Sequence, residues 1–353
     1  VAANSVIVVC GDKSKVVSNS DMWETSTNYQ TYQTQTTGFD GEGQITSAIT
    51  YVTSENNPKV YWVTGHGEAS ESDLSTNFSD AVNKNNVEIS DLALMTDDIP
   101  EDAEELVIMS PTTDFSEDEA NKVITYLENG GKLLMFTSYT GTDMPNLDSI
   151  LENYGVKRSS GIVVETDSQH YYPQMPYYLL PNIQSDDITT EVKSNYILMP
   201  VAQAIQKLDS YRDTITIKSL LTTTEDAYIE NDPENSTWSK SADSETGAFD
   251  LGVSITETVD DKETQIIYFS SASMLSSQID QAISGANSKL AATALTAMCD
   301  VEQTVVIPSK STSYTNLVFT QGAVNTWSII TIAGIPLVLV VIGVMIWMKR
   351  RKQ

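Results

Sequence analysis

Residues 105–138 read ELVIMSPTTDFSEDEANKVITYLENGGKLLMFTS, and this stretch decides the fold. Two short runs at its ends, ELVIM and KLLMF, are apolar on both faces, and the segment between them has apolar residues at helical spacing. Ser116 and Glu119 form a capping box that predicts the helix start, and Gly130 and Gly131 predict its end. This order predicts a parallel sheet that is covered by helices on both faces.

The same alternation extends in both directions along the chain. KVYWVTGHGE (59–68) and VEISDLALM (87–95) are predicted strands, with a weakly patterned helix between them at 79–85. A helix at 146–154 follows the third buried strand. Further strands are predicted at FDLGVSIT and QIIYFSSASML, before a last helix at 287–299. The loops after Val63, Met109 and Phe136 are expected at the carboxyl edge of the sheet, where ligands of such folds bind.

The regions around this core are harder to interpret. NSVIVVCGD (4–12) predicts a strand, 16–39 predicts irregular structure or an edge hairpin, and a helix is expected over 41–53. Residues 161–211 look less regular, and 230–247 predict a flexible surface loop.

The chain has two cysteines, Cys10 and Cys299. Both have apolar sequence neighbours, which favours two buried thiols, although a disulfide stays open on the sequence alone.

A membrane anchor is predicted near the C-terminus. Residues 327–348 read WSIITIAGIPLVLVVIGVMIWM, without one charge. A helix of this length spans roughly 33 Å, enough to cross a bilayer, and tryptophans stand at both ends. The basic residues at 349–352 predict a cytoplasmic C-terminus and place the bulk of the chain outside the cytoplasm. Because Val1 is not a plausible start, we expect a preceding segment with a first transmembrane helix.

Charge excludes one class of partner. The net charge of the chain is −28, and its only charges after Trp327 are the basic tail residues, so the outer part is more acidic still. Such a surface repels nucleic acids, and the acidic pairs at 97–98 and 101–102 have no EF-hand spacing. We therefore expect no nucleic-acid partner, no metal site and no cofactor.

The sharpest local feature is the loop Gly65-His66-Gly67-Glu68. The glycines allow a tight path, and the His66 and Glu68 side chains are expected to project from the sheet edge as a ligand-contacting or acid–base pair. The alternative is a shaped turn in which His66 satisfies backbone groups. The run HYYPQMPYYLLP (170–181) is either a recognition surface or a packing arm laid across the domain. No P-loop, G-x-G-x-x-G, H-E-x-x-H, G-x-S-x-G or C-x-x-C pattern occurs.

The ordered set KVYWVTGHGE, ELVIMSPTTDFSEDE, ENGGKLLMF and IIYFSSASML resembles the GldG-like auxiliary components of ABC-type transport systems, a family associated with gliding motility. NSVIVVCGD and the apolar segment with its basic tail fit the same resemblance. It implies a flavodoxin-like sheet, like that of class I glutamine amidotransferases, with an ABC permease and an ATP-binding subunit as partners. It also implies an accessory subunit and not an enzyme. This agrees with the absence of the amidotransferase G-x-C-x-G nucleophile turn.

The expectation is thus an α/β, membrane-anchored, non-enzymatic transporter subunit whose outer domain binds a substrate or the permease. The ligand would be a small molecule, a glycan or a peptide. The alternatives are a membrane-anchored hydrolase that uses His66 and Glu68, or a structural cell-surface assembly module. The residues predicted to contact a ligand or partner are those at strand ends and in the aromatic run, namely His66, Glu68, Pro111, Thr112, Tyr139, Tyr171 and Tyr172.

The predicted domain organisation has five parts. They are the N-terminal part of the outer domain (1–58), the α/β domain (59–303), a polar stalk (304–326), the transmembrane helix (327–348) and a basic tail (349–353).

Overall fold

The computed structural model describes residues 4–28, 33–54, 57–234, 237–299, 310–311 and 319–351. Nineteen strands occur within these ranges. In chain order they are β1 Val6–Cys10, β2 Lys13–Val17, β3 Trp23–Asn28, β4 Gln33–Phe39, β5 Lys59–Val63, β6 Glu88–Leu92, β7 Glu105–Met109, β8 Lys132–Phe136, β9 Val156–Val164, β10 Tyr171–Tyr172, β11 Met175–Leu179, β12 Asn182–Ile183, β13 Met199–Pro200, β14 Gln203–Lys207, β15 Ile215–Thr222, β16 Tyr228–Glu230, β17 Asp250–Val259, β18 Lys262–Phe269 and β19 Lys310–Ser311.

Eight α-helices accompany the strands of the described ranges. They are α1 Gly41–Thr53, α2 Thr76–Lys84, α3 Glu117–Glu128, α4 Pro145–Asn153, α5 Ser277–Ala282, α6 Ala286–Met298, α7 Gln321–Ile329 and α8 Ile335–Arg351. Short 3₁₀ turns occupy Glu71–Asp73, Thr190–Val192 and Ala272–Leu275. A π-helical turn, Ile330–Gly334, joins α7 to α8 just before Pro336, where the lost backbone N–H would otherwise break the α-helical ladder.

The centre of the fold is a parallel sheet in the order β6-β5-β7-β8-β18. Numbered along the chain, this is the 2-1-3-4-5 order of flavodoxin-like sheets, and it confirms the predicted α/β fold class. The sheet continues from β18 into antiparallel strands, β17, β14, β9 and β16, while β15 also pairs with β17 and β12 pairs with β15. The sheet is therefore mixed, and residues 161–211 are more regular than their sequence indicates.

Alternate side chains of the central strands enter two separate cores, which is why these strands are apolar on both faces. On β7, Val107 and Met109 face one core, while Leu106 and Ile108 face the other. The helices α2 and α6 cover the first core through side chains such as Phe78. The second core lies under α3 and α4. The predicted bounds of the helices that precede the C-terminal segment are correct to within about three residues.

The N-terminal part forms two small hairpins around α1. Strands β1 and β2 pair with each other, and β3 pairs with β4, as the alternative of an edge hairpin predicted. Within the described residues, β4 also pairs with β19. Lys84 forms an ion pair of 2.7 Å with Asp40, and the buried Asn86 accepts from Ser47 at 3.2 Å, so these contacts join α1 to α2.

The C-terminal segment is one continuous helix over Gln321–Arg351. It is longer than the predicted span 327–348, because it begins within the predicted stalk and includes basic tail residues. Most of the stalk, 304–309 and 312–318, lies outside the described residues. Within the described residues, this is the one helix that is long and apolar enough to cross a membrane, judged by length and composition.

Candidate functional site

Two loops meet at the carboxyl edge of the central sheet. One follows β5 and the other follows β7, and these neighbouring strands flank the point where the strand order reverses. In open α/β sheets this topological switch point is the usual ligand crevice. The structure confirms that the loops after Val63, Met109 and Phe136 share this edge, since β5, β7 and β8 are parallel neighbours.

The crevice is closed by the protein's own backbone. The amides of Thr112 and Thr113 donate to the carbonyl oxygen of His66 at 2.9 and 3.1 Å. Both threonine hydroxyls donate to the same oxygen at 3.2 Å. Gly67 has a φ of +76°, and a Cβ at this position would collide with the Thr112 hydroxyl, so the close approach of the two loops requires glycine.

The His66 side chain lies between two carboxylates. Its Nδ1 is 3.3 Å from Oε1 of Glu68, and its Nε2 is 3.2 Å from Oε2 of Glu119. The ring also packs on Phe115, with 4.3 Å between centroids. Ionised carboxylate oxygens only accept hydrogen bonds, so in each of these contacts the ring nitrogen is the donor when it carries a proton. His66 is 5% exposed, and the Glu68 and Glu119 side chains are 2% and 4% exposed.

His66, Glu68 and Glu119 together form what we call the His66 cluster. Glu119 also lies in the first turn of α3. Its Oε2 accepts from the Ser116 amide at 2.9 Å and from the Ser116 hydroxyl at 2.7 Å, which is the predicted capping box. Burial favours the neutral acid, but the Ser116 hydrogen bonds and the nearby His66 outweigh it and hold the pKa of Glu119 below its ordinary value. The cluster therefore fastens the loop after β5 to the first turn of α3.

The expectation that His66 and Glu68 project from the sheet edge is wrong. Both side chains turn inward, because a partner 53 residues further along the chain, Glu119, offers His66 a second acceptor. The Glu68 carboxylate accepts from the His66 amide at 2.7 Å, so the pair also shapes its own turn. This is close to the alternative interpretation, in which His66 satisfies a turn.

The other predicted residues are distributed over three places. Pro111 is buried, and Thr112 is exposed at the crevice, so these two join His66 and Glu68. Tyr139 is half-buried on the next loop, where the hydroxyls of Ser110 and Ser138 lie 2.8 Å apart.

The third place is the aromatic run. Tyr171 and Tyr172 are half-buried on β10, which pairs with β11, and Tyr172 packs against the first core. A contact of any of these seven residues with a ligand stays a prediction.

A contact that sequence reasoning missed joins the C-terminal helix to the head. The Gly322 amide donates to the Ser168 carbonyl at 2.6 Å, and the Gln174 amide donates to Oε1 of Gln321 at 2.8 Å. Thr320 caps the helix by accepting from the Ala323 amide at 3.1 Å, and its hydroxyl lies 3.1 Å from Oε1 of Gln169. A threonine before an apolar helix is a cap signal, but nothing local points to the partner loop, which lies about 150 residues away in sequence.

The C-terminal helix leaves this junction with its apolar side chains uncovered. Trp327 and Trp347 are 61% and 59% exposed, and the most apolar part of the helix between them is not buried at all. Its last turn carries Lys349, Arg350 and Arg351. An apolar surface of this extent is typical of a segment that lipid or another membrane protein covers.

The two cysteines are free thiols in different environments. Cys299 is buried, and its thiol donates to the fully buried Glu105 at 3.3 Å. Burial raises the pKa of both groups well above their ordinary values, and the nearby Glu105 carboxylate raises the pKa of Cys299 further. The prediction of a buried Cys10 is wrong, because β1 belongs to a two-stranded hairpin and Cys10 lies on its exposed surface.

The described residues contain no group of three or more His, Cys, Asp or Glu that is placed to hold a metal ion. The contacts of His66 with Glu68 and Glu119 fix the loop after β5 to the first turn of α3. Neither nitrogen of the imidazole is free of a carboxylate partner.

Several solved structures are similar to this chain, among them the N-terminal domain of mmIFT52, with a TM-score of 0.49 at 15% identity, covering 68% of this chain and 96% of that one. A ThuA-like protein from Parabacteroides merdae ATCC 43184 has a TM-score of 0.38 at 12% identity, with 72% and 98% covered. An exo-beta-1,4-mannosidase from Opitutaceae bacterium strain TAV5 has a TM-score of 0.35 at 11% identity, with 72% of this chain and 37% of that one covered. At these values nothing about function follows.

No curated protein matches the sequence. The sequence model of one protein family matches residues 57–297, which include the parallel core, the antiparallel strands and α6. The match confirms the predicted resemblance to the auxiliary components of ABC-type transport. The chain belongs to the family of ABC-type uncharacterized transport systems and is an auxiliary component of such a system.

Proposed function

We propose that this chain is a non-catalytic accessory subunit that crosses the membrane through its C-terminal helix, holds its head outside the cytoplasm and binds the permease. The observation that carries the proposal is the helix Gln321–Arg351, whose most apolar part is completely uncovered. In a family that serves ABC transporters, the permease helices and lipid are the surfaces that would cover it.

Charge supports the orientation. Lys349, Arg350 and Arg351 end the helix, and positive residues beside a span favour the cytoplasmic side. The head is strongly acidic, and acidic residues contribute little to orientation, so the basic cluster decides it. The ATP-binding subunit would then act on the side of the tail, while the head meets the permease or a substrate on the other side.

The switch-point geometry supports a role without catalysis. An acid–base residue must reach a reacting group, whereas His66 is buried between Glu68 and Glu119. The loop residues around it, among them the exposed Thr112 and the half-buried Tyr139, form a surface on which a small molecule, a glycan or a peptide would bind. The aromatic run with Tyr171 and Tyr172 supplies a second surface of this kind.

The test is purification of the tagged chain from native membranes in mild detergent, with the bound proteins identified by mass spectrometry. We expect an ABC permease and its ATP-binding subunit. Recovery of neither, under conditions where a tagged permease retains its own ATP-binding subunit, would overturn the proposal.

A matched variant locates the contact. Residues 328–346 are replaced by an unrelated leucine–alanine helix of the same length, with both flanking tryptophans and the basic tail kept. Loss of the permease with the anchor intact assigns the contact to the helix. Retention assigns it to the head.

A further inference from the structure

The aromatic run lies at the point where the head meets the C-terminal helix. The Ser168 carbonyl and the Gln174 amide hydrogen-bond to the first turn of α7, at Gly322 and Gln321. Gly322 is buried, and a Cβ there would collide with the Gln169 side-chain amide. The turn of the β10–β11 hairpin is thus fixed to the start of the helix.

Helix geometry gives the distance from this junction to the bilayer. Trp327 stands five residues after Gly322, which corresponds to about 8 Å along a helix axis. Tryptophans at span ends lie at the level of the headgroups, and the headgroup region is roughly 6 Å deep on each side of the hydrocarbon. The junction therefore lies at the outer boundary of the headgroups whenever the helix spans the membrane.

Both segments that meet here are free of fixed charge. Residues 168–185 contain no Asp, Glu, Lys or Arg, although the protein has 48 acidic residues. Residues 311–348, on the helix side, also contain none. The hairpin segment carries four tyrosines, Tyr171, Tyr172, Tyr177 and Tyr178, all half-buried. Tyrosine is enriched at membrane interfaces, where its ring is apolar and its hydroxyl meets water.

The hairpin turn presents a defined tip. Tyr172 pairs with Met175, so Pro173 and Gln174 form a two-residue turn, with Gln174 at a φ of +66°. Pro173 fixes its own φ, which limits the flexibility of the turn. Gln174 is exposed and Met175 is 37% exposed.

We propose that this hairpin tip, Tyr172 to Met175, rests on the headgroup layer of the bilayer. The uncharged tip would let a strongly acidic head contact a membrane surface without electrostatic repulsion. Because the tip has no basic residue, the contact is with headgroups in general and does not require anionic lipid. The inference rests on the bilayer-spanning helix of the proposed function.

The test places single fluorescent labels on the chain of residues 1–353 with Cys10→Ser as background, reconstituted in phosphatidylcholine vesicles. Met175→Cys reports the tip. Val259→Cys is the matched control, since Val259 is 45% exposed. Val259 pairs with Lys262 at the amino end of β18, whereas Gly252, at the other end of β17, pairs with Phe269 at the carboxyl end of β18. Val341→Cys, 49% exposed within the helix, reports insertion.

A spin label on the lipid headgroup should quench the label at 175 about twofold more than the label at 259. Adding anionic lipid should leave this difference unchanged. Equal quenching at 175 and 259, with the label at 341 quenched by a spin label deep in the acyl chains, would overturn the inference alone. Failure of the deep quencher at 341 would instead contradict the spanning helix, and both proposals would fall.

A second pair of variants tests the junction. Gly322→Ala displaces the Gln169 amide and should lower the quenching at 175 towards the value at 259. Gly343→Ala is the matched control, because a Cβ at Gly343 meets nothing within 4 Å. If Gly322→Ala leaves the quenching at 175 unchanged, the contacts at Gly322 do not hold the tip on the bilayer, and the proposed mode of docking is wrong.

Discussion

The switch-point crevice of the head and the C-terminal helix differ in how their surfaces are satisfied. At the crevice, the carbonyl of His66 accepts four hydrogen bonds and its ring meets two carboxylates, all within the same chain. Along the helix, large apolar side chains such as Trp327, Leu337 and Val340 are more than half exposed. In the first region the polar groups of His66 find their partners within the chain, whereas the apolar side chains of the second need another molecule to cover them.

This difference shows that the fold alone does not locate the binding surface of this protein. A flavodoxin-like sheet places a crevice at its switch point, but here the position is used to fasten two loops together. The surfaces that we propose to contact other molecules are the helix and the uncharged hairpin at its base. We expect an auxiliary component of a transport system to bind its partners through such surfaces.

The largest expected effect comes from charging the uncovered region. Each arginine near the centre of a span disfavours insertion by about 2.5–3.5 kcal/mol, so Val340→Arg with Val341→Arg should abolish stable anchoring of residues 1–353. Flotation of the chain with lipid vesicles measures this. Val340→Leu with Val341→Leu is the control and should float as the natural sequence does. Flotation of the arginine variant to the same extent would show that the helix is not the anchor.

The next effect concerns the buried side of the comparison. Asp280 is fully buried and accepts from Ser75, Asn77 and Ser288, including the Ser288 amide, at 2.7 to 2.9 Å. Hydrogen bonds to a charged group contribute about 1.5–3 kcal/mol each, so Asp280→Ala should lower the free energy of unfolding by at least about 3 kcal/mol. Urea denaturation of the detergent-solubilised chain measures this free energy. Asp187→Ala, at an exposed residue, is the control and should change the free energy of unfolding by less than about 0.5 kcal/mol.

A smaller and pH-dependent effect belongs to the crevice itself. Glu119→Gln should lower the free energy of unfolding by about 1–3 kcal/mol at neutral pH, because it removes the charge that Ser116 and His66 stabilise. The folded-state pKa of Glu119 lies below its ordinary value, so its contribution is present above about pH 4.5 and is lost as the pH falls through the folded pKa. The difference between the two proteins should therefore shrink in acid.

Urea denaturation at several pH values measures that difference. Glu117→Gln, an exposed change in the same helical turn, is the control and should follow the natural protein at every pH. If the free energies of unfolding of Glu119→Gln and the natural protein differ by the same amount down to about pH 3, Glu119 does not stabilise the fold as an ionised carboxylate.

The smallest effect on stability is expected at the cysteines. Cys10→Ser should change the free energy of unfolding by less than about 0.5 kcal/mol, since Cys10 is exposed. A thiol reagent should modify one cysteine rapidly in the folded protein and the second only after unfolding, because burial and Glu105 raise the pKa of Cys299. Rapid modification of both thiols would show that Cys299 is accessible.

The parallel core was predictable because its signals are local. The runs ELVIM and KLLMF are apolar on both faces, and Ser116 with Glu119 marks a helix start within four residues. The span at 327–348 was predictable for the same reason, since composition alone distinguishes it. The family resemblance depends on these segments and is confirmed.

The features that sequence reasoning missed depend on contacts between distant residues. The inward turn of His66 needs Glu119, and the helix junction needs Ser168 and Gly322 to meet. The antiparallel half of the sheet is held by long-range pairing that no single strand reveals. The exposure of Cys10 depends on what covers an apolar strand, which composition does not determine.

Cysteine labelling in intact spheroplasts tests the central claim most directly. A membrane-impermeant maleimide should modify the natural exposed Cys10 from outside, whereas a cysteine introduced by Arg351→Cys in a Cys10→Ser background should react only after permeabilisation. Modification of Cys10 only after permeabilisation, with position 351 accessible from outside, would reverse the orientation and contradict the account.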